Sequence, residues 1–214
     1  MNWLQYSNRM YLFLLIFIFH LGWLKFYVEG QELYVIDYGL RVLIILLFLK
    51  TMGWRIVLQG NISFKMVLCG LVVFMACVLL SDYVDTLSWE KSFDTYFFQT
   101  VSFPTIANKP LLLFDLSIGL LLVGLSEEAV YRVLFVKTAD ERGWDNVQLY
   151  VYSIFWFAIL HLPQGLTNVV IAAVFGYFLM WFYLKTHSFL FVSVAHLLIN
   201  MWFFSSNYVE LFLE

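Results

Sequence analysis

The chain is 214 residues long; 63% of its residues are hydrophobic, 21% are aromatic and 13% are charged. Soluble domains carry about 25% charged residues, so we expect lipid, rather than water, to surround most of this chain. The net charge is -3 and no basic run with interleaved aromatic residues occurs, which excludes the pattern of a nucleic-acid-binding protein. The composition predicts lipids, peptides or other membrane proteins as partners.

Apolar segments long enough to cross about 30 Å of hydrocarbon recur along the chain. They predict an all-α, polytopic membrane helix bundle of about seven transmembrane helices. The predicted spans are 10–28, 33–50, 66–81, 111–136, 147–162, 166–185 and 188–205. We divide the chain into N-terminal helices with interfacial segments (1–110), a core (111–205) and a short tail (206–214).

The distribution of charge predicts the orientation of the bundle. Most basic residues between the spans fall on one side, with Lys91 and Lys109 against the trend: Arg9, Lys50, Arg55, Lys65, Lys137, Arg142 and Lys185. Because positive charge marks the cytoplasmic side, we expect a cytoplasmic N-terminus. The short length and the lack of eukaryotic sorting signals favour a multi-pass protein of a prokaryotic cytoplasmic membrane.

Ionisable residues are rare inside the predicted spans. Each costs roughly 2.5–3.5 kcal/mol at the centre of a membrane helix, so each needs a partner or a function. Asp37 and Arg41 lie four residues apart on the second predicted helix. This spacing predicts a local ion pair.

Two adjacent glutamates and an arginine form the first polar cluster of the core. Glu128 and Arg132 are separated by four residues, with the acid first, so the arginine can neutralise that carboxylate. Glu127 points about 100° away around the helix. It is therefore our candidate general base, the alternative being that both acids only hold an ion-pair network.

Two further clusters place a histidine and a second residue on one helix face, at the four-residue spacing: Phe157 with His161, and His196 with Asn200. Glu127 lies 16 residues before the centre of the polar turn at residue 143, and His161 lies 18 after it. In an antiparallel hairpin the two side chains would be within roughly 3 Å of the same depth. A carboxylate, two imidazoles and an amide that converge in this way could activate water and stabilise an oxyanion.

The motifs of other intramembrane proteases are missing. Gly124-Leu125-Ser126 begins like the serine motif of rhomboid proteases, but Glu127 stands where that motif needs glycine. The chain contains neither the His-Glu-x-x-His pattern of zinc metalloproteases nor the Gly-x-Gly-Asp pattern of aspartyl proteases.

The sequence resembles the family of CAAX proteases and bacteriocin-processing enzymes, the glutamate-type intramembrane peptidases. Three ordered motifs carry the resemblance: Glu127-Glu128-Ala-Val-Tyr-Arg132, Phe157-x-x-x-His161 and His196-x-x-x-Asn200. It covers about residues 111 to 205. One departure is Val133, where the family commonly has glycine.

The resemblance implies an endopeptidase without a cofactor. Glu127 with His161 would activate the attacking water, and His196 with Asn200 would stabilise the oxyanion. The supporting residues would be Glu128, Arg132 and Phe157.

Two alternatives use the same residues. In the first, Glu127, His161 and His196 bind Zn²⁺, because two histidines and a carboxylate form a catalytic zinc set. In the second, the protein is a bacteriocin-immunity or scaffold protein whose buried polar residues only fix helix packing. The sequence assigns neither a substrate nor an oligomeric state.

Overall fold

The computed structural model describes residues 18, 24, 28, 30–85, 106 and 108–206. All regular secondary structure in these ranges is helical. The helices are α1 (Glu32–Met52), α2 (Arg55–Leu58), α3 (Phe64–Asp85), α4 (Lys109–Arg142), α5 (Asn146–Ile159), α6 (Leu166–Thr186) and α7 (Phe189–Ser206). The predicted first span, 10–28, and most of the residues between the third and fourth predicted spans lie outside the described residues.

Three of the described helices are long and apolar enough to cross a membrane: Phe64–Val84, Lys109–Arg142 and Leu166–Thr186. Two others, Asn146–Ile159 and Phe189–Ser205, are apolar but shorter. These findings support an all-helical membrane protein. The number of seven crossings stays a prediction.

The longest helix, α4, is defined by polar caps at its two ends. The Asn108 side chain accepts a hydrogen bond from the Leu111 amide at the start. At the other end Gly143 takes a left-handed conformation (φ 66°) that terminates the helix. Asp145 then caps α5 together with Gln148 in a reciprocal capping box, so that a turn of three residues joins the two helices.

Helix α5 ends early, as Pro163 leads us to expect. The α-helix stops at Ile159, and a short 3₁₀ turn, Leu162–Gln164, follows His161. A proline ring has no amide hydrogen and clashes with the preceding turn, which explains why the helix does not continue. His161 therefore lies at the broken end of α5.

Two glycines allow helices to approach α4 closely. A Cβ atom at Gly124 would lie 3.0 Å from the Ser193 carbonyl oxygen of α7. A Cβ atom at Gly119 would lie 2.9 Å from Cε1 of Tyr38 on α1. Small residues let a neighbouring membrane helix approach the backbone closely. Helix α4 therefore packs between α1 and α7.

Candidate active site

The glutamate pair and the arginine predicted from the sequence lie in the interior of the bundle. Glu127 is 3% exposed, and both Glu128 and Arg132 are fully buried. The helix widens to a π-helical segment directly after the glutamates, from Ala129 to Leu134. Such wide turns are frequent at functional sites because they redirect side chains without ending the helix.

Glu128 joins the histidine of α7 to the arginine of α4. Its Oε1 atom lies 2.8 Å from Nδ1 of His196, and its Oε2 atom lies 3.1 Å from Nε of Arg132. The predicted pairing of Glu128 with Arg132 is confirmed. An ionised carboxylate can only accept, so Nδ1 of His196 donates to it, and in the neutral ring Nε2 is left as the acceptor.

The other end of Arg132 fixes the register of the α4–α5 hairpin. Nη1 donates to Oγ of Ser153 and to the Tyr131 carbonyl oxygen, both at 3.1 Å. Arg132 stands 11 residues before Gly143 (143 − 132) and Ser153 stands 10 after it (153 − 143). The two helices are thus paired nearly level around the turn, which supports the expected common depth of Glu127 and the end of α5.

Glu127 has a partner that the helical spacing did not predict. Its Oε1 atom accepts a hydrogen bond of 3.0 Å from Nη1 of Arg41 on α1. Arg41 also makes the predicted local ion pair, with Nε 2.7 Å from Oδ2 of Asp37. The prediction of the ion pair is confirmed, but Arg41 also reaches the candidate base.

The second oxygen of Glu127 faces His196. Oε2 of Glu127 lies 3.8 Å from Nε2 of His196. It is buried and makes no hydrogen bond to the described residues. With Nε2 as an acceptor, two acceptors face each other, and a water molecule beside the pair, rather than on the line between them, could donate one hydrogen to each. The lone pairs of that water would remain available for attack.

Phe157 lies at the centre of the site and contacts both imidazoles. Its ring centroid lies 5.3 Å from that of His161 and 5.7 Å from that of His196, both edge-to-face. The Arg132 guanidinium lies 4.7 Å from the same centroid. Gly176 on α6 makes room for this ring, since a Cβ there would lie 2.8 Å from Cδ1 of Phe157.

His161 and Asn200 are less deeply buried than the other predicted residues. Nδ1 of His161 lies 3.0 Å from Oε1 of Gln164 in the turn after α5. His161 lies within electrostatic range of Glu127, as does His196. Asn200 follows His196 by one turn of α7. The structure therefore brings Glu127, Glu128, Arg132, Phe157, His161 and His196 together, with Asn200 on the adjoining turn.

A metal-binding arrangement is not formed by the described side chains. Among residues 30–85 and 108–206, no three His, Cys, Asp or Glu side chains come together as a set that could hold a metal ion. In the expected zinc set, Nδ1 of His196 is bound to Glu128 and Oε1 of Glu127 to Arg41, which leaves Nε2 of His196 and Oε2 of Glu127, 3.8 Å apart, as possible ligand atoms. No third ligand joins them among the described residues, so the geometry does not favour the zinc alternative.

Residues 109–202 match the family model described as Type II CAAX prenyl endopeptidase Rce1-like. The matched segment contains all three motifs on which the resemblance rests. No curated protein and no solved structure matches the chain. The match confirms the resemblance: over residues 109–202 the chain is similar to the CAAX endopeptidases, a family of proteases.

Proposed function

We propose that the protein is an intramembrane endopeptidase in which Glu127 is the general base that activates water. The observation that carries the proposal is the 3.8 Å separation of Glu127 Oε2 from His196 Nε2 inside a closed, charged cluster. Both atoms are suited to accept hydrogen bonds from the same water. Positioned proton transfer of this kind typically accelerates a reaction by about 10²–10⁴-fold.

The hydrolysis uses one water and no covalent enzyme intermediate. The water oxygen attacks the carbonyl carbon of the scissile peptide bond as Glu127 takes a proton from the water. The carbonyl oxygen then carries the negative charge until the C–N bond breaks, and Glu127 returns its proton to the leaving amine. The products are a free carboxyl group and a free amine, so atoms and charge balance.

The other motif residues orient the catalytic groups and stabilise the oxyanion. Glu128 fixes the His196 ring through Nδ1 and keeps Nε2 directed at Glu127. In this proposal His196 therefore positions the water, whereas the resemblance implies oxyanion stabilisation. His161 and Asn200 have the roles that the resemblance implies, in water activation and in oxyanion stabilisation. A side-chain amide donor of this kind is worth about 10²–10³-fold in turnover at an oxyanion hole.

We propose a substrate of the CAAX type, a protein or peptide whose C-terminus carries a prenylated cysteine. The support is the description of the matched family. The two glutamates lie on α4, which is long and apolar enough to cross a membrane, so a lipid-linked peptide could reach them from the bilayer. The location of the N-terminus in the cytoplasm and the prokaryotic origin also stay proposals.

The proposed function can be tested without a known substrate, by comparing the C-termini of the proteins and peptides in membranes that contain different variants. Membranes with the unaltered chain, the Glu127→Gln variant or the Glu141→Gln variant are incubated, and new C-termini are identified by mass spectrometry. Glu141 is an exposed glutamate on the same helix and serves as the control. We expect new termini with the unaltered chain and Glu141→Gln only.

The alternatives predict other outcomes. Equal termini from all three samples would contradict the role of Glu127. No new termini in any sample would favour an immunity or scaffold protein. Cleavage that is abolished by a chelator and restored by Zn²⁺ would favour the metal mechanism.

A further inference from the structure

The base of the proposed mechanism is contacted by a helix that lies outside the matched family segment. Arg41 belongs to α1, Glu32–Met52, whereas the family match covers residues 109–202. The Arg41 side chain is only 8% exposed. A buried guanidinium at this position is costly to maintain unless it is fully paired.

The planar fork of Arg41 meets three partners at once. Nε contacts Asp37, while Nη1 donates to Oε1 of Glu127 and to Oγ of Ser126, both at 3.0 Å. Contacts to two consecutive residues of α4 restrict both the position and the rotation of the Glu127 carboxylate. Since Oε1 is held by Arg41, the remaining atom Oε2 is directed at His196.

A second contact fixes the register of α1 on α4. The Tyr38 hydroxyl, one turn from Arg41, donates to the buried carboxylate of Asp115. Gly119 leaves the space that the Tyr38 ring occupies. Helix α1 is thus held against α4 at two levels, and Arg41 cannot slide away from Glu127 without breaking both contacts.

We infer that Arg41 is the positioning residue of the active site, which orients the Glu127 carboxylate and compensates its charge. Arg41 acts through Glu127 and does not touch the substrate. The inference rests on the proposed function. It means that α1, which lies outside the matched segment 109–202, completes the active site.

The test separates this role from a purely structural one. Arg41→Gln alone would leave the Asp37 carboxylate buried without its cation, so the double variant Asp37→Asn/Arg41→Gln, which removes both charges, is the main probe. Asp37→Asn alone keeps the contact with Glu127 and is the matched control. Arg41→Lys keeps a cation but loses the fork that reaches two acids.

Turnover of an internally quenched, farnesylated peptide of the CAAX type is measured in detergent, together with the melting temperature. We expect the double variant to melt at a lower temperature, because the buried Glu127 carboxylate loses its cation. The folded protein should lose about 100-fold in kcat, since a misplacement of about 1 Å has that effect. KM should change by less than about threefold, because Arg41 does not contribute to binding of the substrate in the ground state. Asp37→Asn should retain most of its turnover, and Arg41→Lys should lose about tenfold in kcat.

Three outcomes would overturn the inference or the function. A double variant with unaltered kcat would overturn the positioning role, provided that Glu127→Gln is inactive in the same assay. If the double variant does not fold, Arg41→Lys decides, and unaltered kcat in that variant would also overturn it. Full turnover by Glu127→Gln would instead contradict the proposed function itself.

Discussion

The substitution Gly176→Ala tests how the packing of α6 controls the site. The added Cβ would lie 2.8 Å from Cδ1 of Phe157, whereas carbon atoms in contact are normally about 3.5–4.0 Å apart. The Phe157 ring must therefore move by roughly 0.7–1.2 Å, the difference between these distances. This ring packs on both histidines and on Arg132, so the whole site is displaced with it.

The expected effect on stability is small and the expected effect on activity is large. Overpacking costs about 1–3 kcal/mol, and replacing a helical glycine with alanine gains up to about 1 kcal/mol. The net loss of unfolding free energy should be about 0–3 kcal/mol. A displacement near 1 Å at the reacting groups should reduce kcat by about 100-fold.

The assay pairs thermal unfolding in detergent with turnover of the farnesylated peptide. Gly39→Ala is the control, because a Cβ at Gly39 meets nothing within 4 Å, and it should leave turnover unchanged. Gly176→Ala/Phe157→Leu relieves the clash and should recover stability without recovering full turnover. Unaltered turnover in a folded Gly176→Ala variant would refute the claim that Phe157 orients the imidazoles.

Three further results are expected. Arg132→Met leaves the fully buried Glu128 carboxylate without its cation, and should lower the unfolding free energy by about 3–5 kcal/mol in chemical denaturation; a change below about 1 kcal/mol would show that the pair is not coupled in this way. Gly119→Ala places a Cβ 2.9 Å from the Tyr38 ring, so the melting temperature should fall, by overpacking of about 1–3 kcal/mol; an unchanged melting temperature would mean that α1 can shift on α4. Treatment with a chelator should leave peptide turnover unchanged, and stoichiometric zinc with loss of turnover on chelation would instead support the zinc alternative.

The local pairs were predictable because helical spacing determines them. Asp37 with Arg41 and Glu128 with Arg132 are both four residues apart, and both form the ion pairs that this spacing indicates. The break at Pro163 follows from the chemistry of proline alone. Each of these features is set within one helix, so it does not depend on the tertiary packing.

The contact between Arg41 and Glu127 depends on how α1 packs on α4, and spacing carries no information about that. The ion pair with Asp37 already gives Arg41 a counter-charge within its own helix, so the sequence did not require another partner for Arg41. One signal was available: Glu127 was left without a cation, and the predicted spans held no other arginine than Arg41 and Arg132. Charge compensation across helices would have suggested the pairing.

Asp115 illustrates the same limit. Its place near the end of a span is compatible with lipid headgroups, yet the structure buries it against Tyr38 of α1. The role of Gly176 was also only partly predictable. With Ala172 it forms a small-residue pair that indicates close helix packing, but the pattern does not name Phe157 as the neighbour.

The most direct measurement is the turnover number of purified Glu127→Gln on the farnesylated peptide, beside the unaltered protein and Glu141→Gln. Glutamine keeps the shape of the side chain but cannot accept the proton of the attacking water. Loss of a general base should lower kcat by about 10²–10⁴-fold, with Glu141→Gln unchanged and all three proteins equally folded. Turnover by Glu127→Gln at the rate of the unaltered protein would contradict the account.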